Sequence, residues 1–466
     1  MVIRLDSRLD AFYRSLRGKR ICMLGIGRSN TPLIKTFMEK GAQVCACDKR
    51  TREQLGSVAD ELESAGAALQ LGETYLKSLD FDVIFRTPGI RYTLPELEEA
   101  RARGVAVTSE MEVFFEVCPC RIIAVTGSDG KTTTTTLISE ILKREGRRVH
   151  LGGNIGRPLL PEIETIREDD VAVVELSSFQ LISMRRSPDV AVITNITPNH
   201  LDMHKDMVEY IQAKKHIFLH QNGCSKTVLN FDNAITVPMA EEVRGQCLGF
   251  SLKEPPRFGC YTDADGVIWF LSGEQKHYVM HRDDILLPGS HNVENYMAAA
   301  AAVWGLAKPE TILGVARSFT GVEHRIELVR ELDGVRYYND SIATTPSRTL
   351  AGLRAFSQKV ILIAGGYDKH IPFDVLGPAA VQSVKCLILL GATADKIATA
   401  VEGAEGYATG EPPILRVSGL EEAVQTARAQ AASGDVVLLS PACASFDMFK
   451  DFETRGDLFK NIVNAL

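Results

Sequence analysis

RIIAVTGSDGKTTTTT, residues 121–136, runs from an apolar stretch through a glycine loop into a threonine-rich helical pattern that begins near Lys131 and Thr132. A strand that turns through glycine into a helix N-terminus leaves backbone N–H groups without intrahelical partners, with the positive end of the helix dipole behind them. Such a terminus stabilises anionic oxygens, while Lys131 adds a point charge and Thr132 a hydroxyl suited to Mg²⁺. The loop is short. The common nucleotide loop carries a glycine five residues before the one at Gly130, where this chain has Val125, and the earlier glycine here is Gly127. A Gly/Ser turn capping a core helix is the plainer alternative. The order of strand, loop, lysine and two threonines favours a phosphate cradle.

Outward from this loop, three segments repeat one rhythm of apolar strand, glycine turn and amphipathic helix, which predicts parallel sheets covered by helices. The first, residues 1–110, holds RICMLGIG, VCACD ending at Asp48, and DVIF before TPGI. The second, residues 111–321, holds the loop, VAVVEL, VAVITNI, a stretch of short alternating strands such as VIWFL, and an alanine-rich helix after Ser290. The third, residues 322–466, holds four apolar runs, VRYYND, KVILIAGG, CLILLG and DVVLLS. The 466 residues suit three domains on a prior of roughly 150 residues each.

A net charge of -7 opposes binding to nucleic acid or an anionic membrane, so any anionic ligand has to be held locally. The ten cysteines lack zinc spacing, with Cys45/Cys47 and Cys118/Cys120 as the closest pairs, and are expected to be free thiols in a reducing cytosol. The N-terminus is charged throughout, and the apolar run from Met297 is too short to span a bilayer, which predicts a cytoplasmic, unanchored chain.

Gly25 and Gly27 stand between strand and helix, with Asp48 ending the next strand, as in a dinucleotide fingerprint; Asn30 takes the third glycine position. Glu175 closes the strand VAVVE just before Ser177 and Ser178, where a nucleotide-bound Mg²⁺ needs hard oxygen ligands. Asn195 and His200 follow another strand, and a neutral His200 imidazole is a candidate metal ligand, although a single histidine is more often structural. Lys214, next to Lys215, reads by composition as half of a solvated basic pair without a role. Asn292 and Asn295 share one helix face, suited to hydrogen bonding a ring or phosphate. His324 and Arg325, Asp340 and Ser341, Lys369, and SPACASFD all follow strands or a hinge, and in a doubly wound sheet they converge on one edge. GxSxG and HExxH motifs are absent, so the inventory suits phosphoryl transfer rather than hydrolysis by a protein nucleophile.

Together, TGSDGKTT, GGNIGRP (152–158), VVELSSFQL (173–181), NITPNHLDMH, GSHNVENYMAA, HRIE, YNDSIATTP, AGGYDKH and LSPACASFDMFKDFETRG resemble the Mur ligases, on the branch that adds D-glutamate, along the whole chain. The resemblance implies a Rossmann-like N-terminal domain, a central P-loop ATPase-like domain with a mostly parallel sheet, and a Rossmann-like C-terminal domain. It implies ATP held by Gly127, Ser128, Asp129, Gly130, Lys131, Thr132 and Thr133, with Thr132 and Glu175 on a first Mg²⁺ and His200 on a second. The family's carbamylated lysine falls on Lys214 of YIQAK, where a carbamate turns a cation into an oxygen ligand for that second ion. Asn292 and Asn295 resemble adenine-side contacts, and Asp340 with Arg325 the ribose and γ-phosphate contacts. UDP-N-acetylmuramoyl-L-alanine would place its uridine diphosphate at Arg28, Ser29, Asn30, Asp48, Lys49 and Arg50 and its muramoyl part at Asn154 and Ser177, making the first glycine loop a UDP site. Thr344, Lys369, Ser445 and Phe452 would surround D-glutamate; at Ile342 the family motif has lysine, a contact for which Lys369 could compensate.

The implied reaction phosphorylates the terminal alanine carboxylate with ATP and lets the amine of D-glutamate attack the acyl phosphate. Lys131, His200 and Lys214 are the implied catalytic group. Water must be excluded from an acyl phosphate, which predicts closure of residues 322–466 over the rest. The expected partners are these small molecules alone, with the protein a monomer. A sister ligase with another acceptor, a folylpolyglutamate synthase-like ligase, and a nucleotide-binding regulator without chemistry are the alternatives. More than a hundred residues before the phosphate loop speak against the second. Lys131, Glu175, His200, Lys214 and Asp340 together speak against the third.

Overall fold

The structure, a computed structural model, describes residues 7–198, 204–287, 289–369, 371–408 and 410–466. The chain forms two compact units, residues 1–285 with 290–317, and residues 286–289 with 318–466.

The first unit holds two sheets. Arg20–Leu24, Gln43–Asp48, Ala68–Leu71, Val83–Arg86 and Ala106–Thr108 form a wholly parallel sheet in the order 3-2-1-4-5, counted along the chain. Its order reverses between the strands ending at Leu24 and Arg86, and the crevice beyond those ends is where open α/β sheets bind ligands.

The second sheet has nine strands in the order 2-3-1-4-5-6-7-8-9, beginning with Arg121–Thr126, Val149–Gly153, Val171–Glu175 and Val190–Ile193. Arg121–Thr126 lies parallel between Val171–Glu175 and Val190–Ile193, and all but Arg121 among these residues are buried, as continuous apolar runs in a sheet covered on both faces require. The last three strands, Phe258–Thr262, Val267–Ser272 and Gln275–His281, fall where short alternating strands were expected and form an antiparallel meander. The alanine-rich helix Ser290–Val303 buries Met297 to Val303 completely, because side chains this small let it lie close against the sheet.

One hydrophobic core joins both sheets of this unit. Ile34, Phe37 and Phe85 share it with Met111, Phe114, Leu160 and Leu181, so the helix Glu110–Val117 that follows the first sheet is a common wall.

The second unit is a six-stranded sheet in the order 1-2-6-3-4-5. Val335–Asn339, Val436–Leu439, Val360–Ala364 and Val384–Leu389 are the four expected runs and pair in parallel in that spatial order. Glu327–Leu332, antiparallel, and Ile414–Arg416 complete the edges. Both are half-exposed and carry charged residues, so neither shows the apolar run of a buried strand. Among the described residues no helix is long and apolar enough to cross a membrane.

Candidate functional site

The loop after Thr126 is pinned from below. Gly127 and Gly130 both have positive φ, and a Cβ would drive Gly127 into the Thr194 hydroxyl and Gly130 into the Asn295 carboxamide. Ser128 donates its N–H to the Asn195 carbonyl at 2.9 Å and its hydroxyl to the Thr197 carbonyl at 2.9 Å, with the Tyr210 hydroxyl at 3.0 Å. Asp129 N–H donates to Asn195 Oδ1 at 2.9 Å. Lys131 Nζ folds back to the Ser128 carbonyl at 2.8 Å. Asn295 accepts from the Thr134 hydroxyl and donates to Asn292 Oδ1 at 3.1 Å, so this amide pair buttresses the loop from the next helix.

Thr132 opens the helix Lys131–Arg144 and is buried, with Thr133 next to it. Glu175 ends the strand beside it, in register with Val125, and is 1 % exposed. Its Oε1 accepts from Asn154 Nδ2 at 2.7 Å, and its buried Oε2 has no hydrogen-bond partner among the described residues. A buried carboxylate oxygen of this kind beside the glycine loop fits a cation ligand, because desolvating it without a partner is costly.

Lys214 overturns its reading as a solvated basic residue. The helix Met207–Leu219 turns Tyr210, Ala213, Lys214, Ile217 and Phe218 inward, and Lys214 is 1 % exposed. Its amine donates to the Gly127 carbonyl at 2.7 Å and to Thr126 Oγ1 at 3.3 Å, over the Tyr210 ring. Burial, and then the charge of Lys131, push its pKa well below the lysine range. Lys215 is buried too, and pairs with Glu242. His200 lies outside the described residues. His204, on the same motif, is held by Ser178 at 2.8 Å and stacked on Phe179. Ser177 caps the short helix Ser178–Leu181.

A cavity of about 200 Å³ is lined by Arg28, Ser29, Arg86, Glu110, Asn154 and Gln180 among others. It brings together the first glycine loop and the GGNIGRP turn. Asn30, Asp48, Lys49 and Arg50 are not in its wall. Asn30 is fully buried and donates to the carbonyls of Leu24, Gly25 and Phe85. Asp48 takes the Ile26 N–H at 2.7 Å and a bidentate Arg50 fork. Burial opposes its ionisation, yet the Arg50 bonds and backbone amides hold its carboxyl below the usual range. A larger cavity of about 420 Å³ runs along the edge strand Ala106–Thr108 and contains none of the sequence-predicted residues.

Two residues of the first cavity escaped the sequence reading. Arg86, 2 % exposed, donates to the carbonyls of Thr87, Ile90 and Phe179 and ties the TPGI turn to the second sheet's helix. Glu110 accepts from the amides of Leu159 and Leu160 at 3.0 and 2.8 Å, and burial pushes its pKa up to about 7. A charged residue at the C-terminal end of a strand was the one available signal for Arg86.

In the second unit, Asp340, Ser440 and Gly365 follow three adjacent strands, so the convergence expected there is present. Asp340 is 4 % exposed, accepts from Ser440 Oγ at 2.7 Å, and is pushed up to about 7 by burial. Arg325 is exposed between His324 and Ile326, both with left-handed φ. Lys369 Nζ donates to the Thr344 carbonyl at 3.3 Å, Ser445 is buried, and Phe452 accepts from the Ser341 hydroxyl at 2.8 Å through its carbonyl. Arg455, also missed, is 1 % exposed and binds Ser341 and the carbonyls of Cys443 and Ala444, joining two of these loops without a carboxylate.

The chain matches the Mur ligase MurD-like N-terminal domain over residues 19–109, the Mur ligase middle domain over 125–303, and the Mur ligase glutamate ligase domain over 324–443. It is 51% identical over 465 residues to the UDP-N-acetylmuramoylalanine–D-glutamate ligase of Acetivibrio thermocellus, and 50% identical to that of Ruminiclostridium cellulolyticum, covering 99% of this chain and 100% of each relative. Among solved structures, the UDP-N-acetylmuramate–alanine ligase MurC of Thermotoga maritima shares the fold with a TM-score of 0.55 at 18% identity, covering 96% of this chain and 99% of its own. MurF of Acinetobacter baumannii does so with 0.55 at 17%, covering 96% and 92%. Matched by three family domains along its length and 51% identical to a relative covered end to end, this chain belongs to the Mur ligase family.

Proposed function

We propose that the chain is an ATP-dependent ligase that joins D-glutamate to UDP-N-acetylmuramoyl-L-alanine in peptidoglycan synthesis, working as a cytoplasmic monomer on small molecules only. The observation that carries this reading is the gathering of Lys131, Thr132, Glu175 and Lys214 at one pinned loop in a chain that matches D-glutamate-adding relatives over its full length.

The γ-phosphoryl group passes from ATP to an oxygen of the alanine carboxylate, releasing ADP. The free amine of D-glutamate then attacks the carbonyl carbon, and the tetrahedral adduct expels phosphate and loses the amine proton. The loop Gly127 to Thr133 holds the phosphates through its backbone N–H groups other than those of Ser128 and Asp129, which Asn195 takes, and through the Lys131 ammonium swung away from the Ser128 carbonyl, offsetting charge that develops on them. Pinning by Asn195, Thr194 and Asn295 means the loop needs little rearrangement to do so. Thr132 and Glu175 fit a Mg²⁺, which supplies neutralisation of the phosphate oxygens when bound.

Lys214 suits carbamylation because CO₂ condenses only with a neutral amine, and burial pushes the Lys214 pKa down in that direction. The product is a carboxylate beside Lys131 in place of a second cation. Arg28, Ser29 and Asn154 meet the UDP-muramoyl substrate directly in the cavity, with Asn30, Asp48, Lys49 and Arg50 as the uridine-side neighbourhood and Ser177 on the muramoyl side. Asn292, Asn295, Arg325 and Asp340 serve the nucleotide; Thr344, Lys369, Ser445 and Phe452 serve D-glutamate. His200 completes the metal-binding set. This reading keeps functional segments 1–110, 111–321 and 322–466.

Phosphate release is measured with ATP, UDP-N-acetylmuramoyl-L-alanine and each of D-glutamate, L-glutamate, L-lysine and meso-diaminopimelate. Release that depends on D-glutamate alone is expected; release with another acceptor instead, or none with any, overturns the reading.

A further inference from the structure

We propose that Arg348, together with Lys369, clamps a carboxylate of the amino acid that this chain adds; the proposal rests on the function just given. Arg348 lies in the first turn of the helix Pro346–Leu353, and its Nη1 donates to the Ile342 carbonyl at 3.2 Å. Lys369, on the loop after the strand Val360–Ala364, donates to the Thr344 carbonyl at 3.3 Å. Two cations on different elements therefore reach the same five-residue loop, Asp340 to Thr344, and the hydrogen bonds recorded for both go to carbonyl oxygens.

The electrostatic balance there is one-sided. Burial and the charge of Arg325 lower the pKa of Arg348, and the Asp340 carboxylate opposes them. Burial and the charge of Arg348 lower that of Lys369. Asp340 is a weak counter-ion, since it is buried, bonded to Ser440, and shifted towards its neutral form. Ile342, between the two cations along the loop, contributes no charge.

Cations that repel one another beside a loop, with carbonyls as partners and solvent on one side, are stabilised by an incoming carboxylate. A guanidinium has five N–H donors in a planar fork that matches a carboxylate bidentately, and one donor spent on Ile342 leaves that fork oriented. Arg348 is exposed on one side, and its bond to the Ile342 carbonyl holds it to this loop. An arginine that merely braces the loop would be held there too, and the two roles differ in what they do to the acceptor.

Initial rates are measured for wild type, Arg348→Ala, Arg348→Lys and Lys369→Ala, at saturating ATP and UDP-N-acetylmuramoyl-L-alanine. The acceptors are D-glutamate, D-glutamine, which lacks the side-chain carboxylate, and 4-aminobutanoate, which lacks the α-carboxylate. Where an analogue turns over too slowly, its inhibition constant against D-glutamate is read instead. Arg348→Ala is expected to raise KM for D-glutamate about 10- to 100-fold, as loss of a charged hydrogen bond does, with KM for ATP unchanged. That penalty is expected to vanish for one of the two analogues, identifying the clamped carboxylate, and Arg348→Lys is expected to recover part of it. An equal penalty on all three acceptors, or one carried by kcat alone, overturns the clamp in favour of bracing. Should Arg348→Ala fail to fold, Arg348→Lys and Lys369→Ala give the same discrimination. Wild-type enzyme without D-glutamate-dependent phosphate release sinks the underlying function instead.

Discussion

The loop after Leu24 and the loop after Thr126 occupy the same place in their sheets: each follows a first strand, begins with a glycine of positive φ and leads into a helix. They are finished in opposite ways. In the first, Asn30 spends its amide on three carbonyls and Asp48 spends its carboxylate on Ile26 and Arg50, so the polar groups nearest the turn are consumed. Recognition is left to side chains further out, Arg28 and Ser29, which line the cavity. In the second, the supports come from beneath, from Asn195, Thr194, Tyr210 and Asn295, while Glu175 keeps one oxygen unmatched. A loop plugged by its own residues presents side chains. A loop propped from outside gives up only the Ser128 and Asp129 amides, both to Asn195, and leaves the rest of its backbone turn and the Glu175 charge for a ligand.

Lys131→Ala breaks the comparison hardest. If the second loop binds triphosphate through backbone and Lys131 together, D-glutamate-dependent phosphate release is expected to fall about 10²–10³-fold or more, the scale for removing one preorganised group from developing charge. Near-normal rates would reduce the loop to a helix cap.

A pair of glycine substitutions sharpens the comparison by separating the two loops. Gly127→Ala puts a methyl group into the Thr194 hydroxyl, and Gly25→Ala puts one into Thr87. Gly127→Ala is expected to weaken ATP, read as a rise in its KM with a fall in kcat. Gly25→Ala is expected to raise KM for UDP-N-acetylmuramoyl-L-alanine while leaving KM for ATP near wild type. Steady-state titration of each substrate checks this, and a common effect of both variants on the same substrate contradicts the division of labour.

The sequence shows most plainly what rests on long apolar runs. The buried strands around both loops, and the four central strands of the second unit, read directly as runs ending in glycine or a polar residue. The edge strands Glu327–Leu332 and Ile414–Arg416 did not, because an edge exposes part of its surface and tolerates charge. Buried charged residues were the other blind spot. Arg86, Glu110 and Arg455 look like surface residues in any window, since their burial is set by partners about 90 to 115 positions away or by another sheet's loop. Lys214 shows the point in one residue. Its helix carries two adjacent lysines, composition assigns both to solvent, and packing places both inside, so only the family resemblance marked it for chemistry.

Lys214→Ala extends the contrast, since a carbamate is the one acid the second loop would gain by modification. Turnover is expected to drop severely and to return in part with added formate or acetate, which can refill the carboxylate position. Rescue absent across the concentration range would leave Lys214 as a support for the Gly127 carbonyl, the bond it makes as an amine.

The smallest expected effect concerns the helix Glu110–Val117, the wall between the two sheets that carry these loops. Glu110 accepts the amides of Leu159 and Leu160, and burial raises its pKa from 4.5 to about 7. A carboxyl whose folded pKa is raised binds its proton more tightly in the folded chain than in the unfolded one. Its contribution is therefore fully present below the unfolded value and lost as pH rises through about 7. Glu110→Gln keeps a carbonyl oxygen to accept both amides and carries no charge at any pH. The melting midpoints of variant and wild type are expected to converge near pH 4, with the variant higher at pH 8, where roughly 1 kcal/mol shifts a midpoint by about 2–4 °C in domains of about 150–250 residues and by less in a longer chain. A variant that melts lower than wild type by the same margin at both pH values would mean that Glu110 holds the cavity wall as a charged cap, and that proton binding there plays no part in stability.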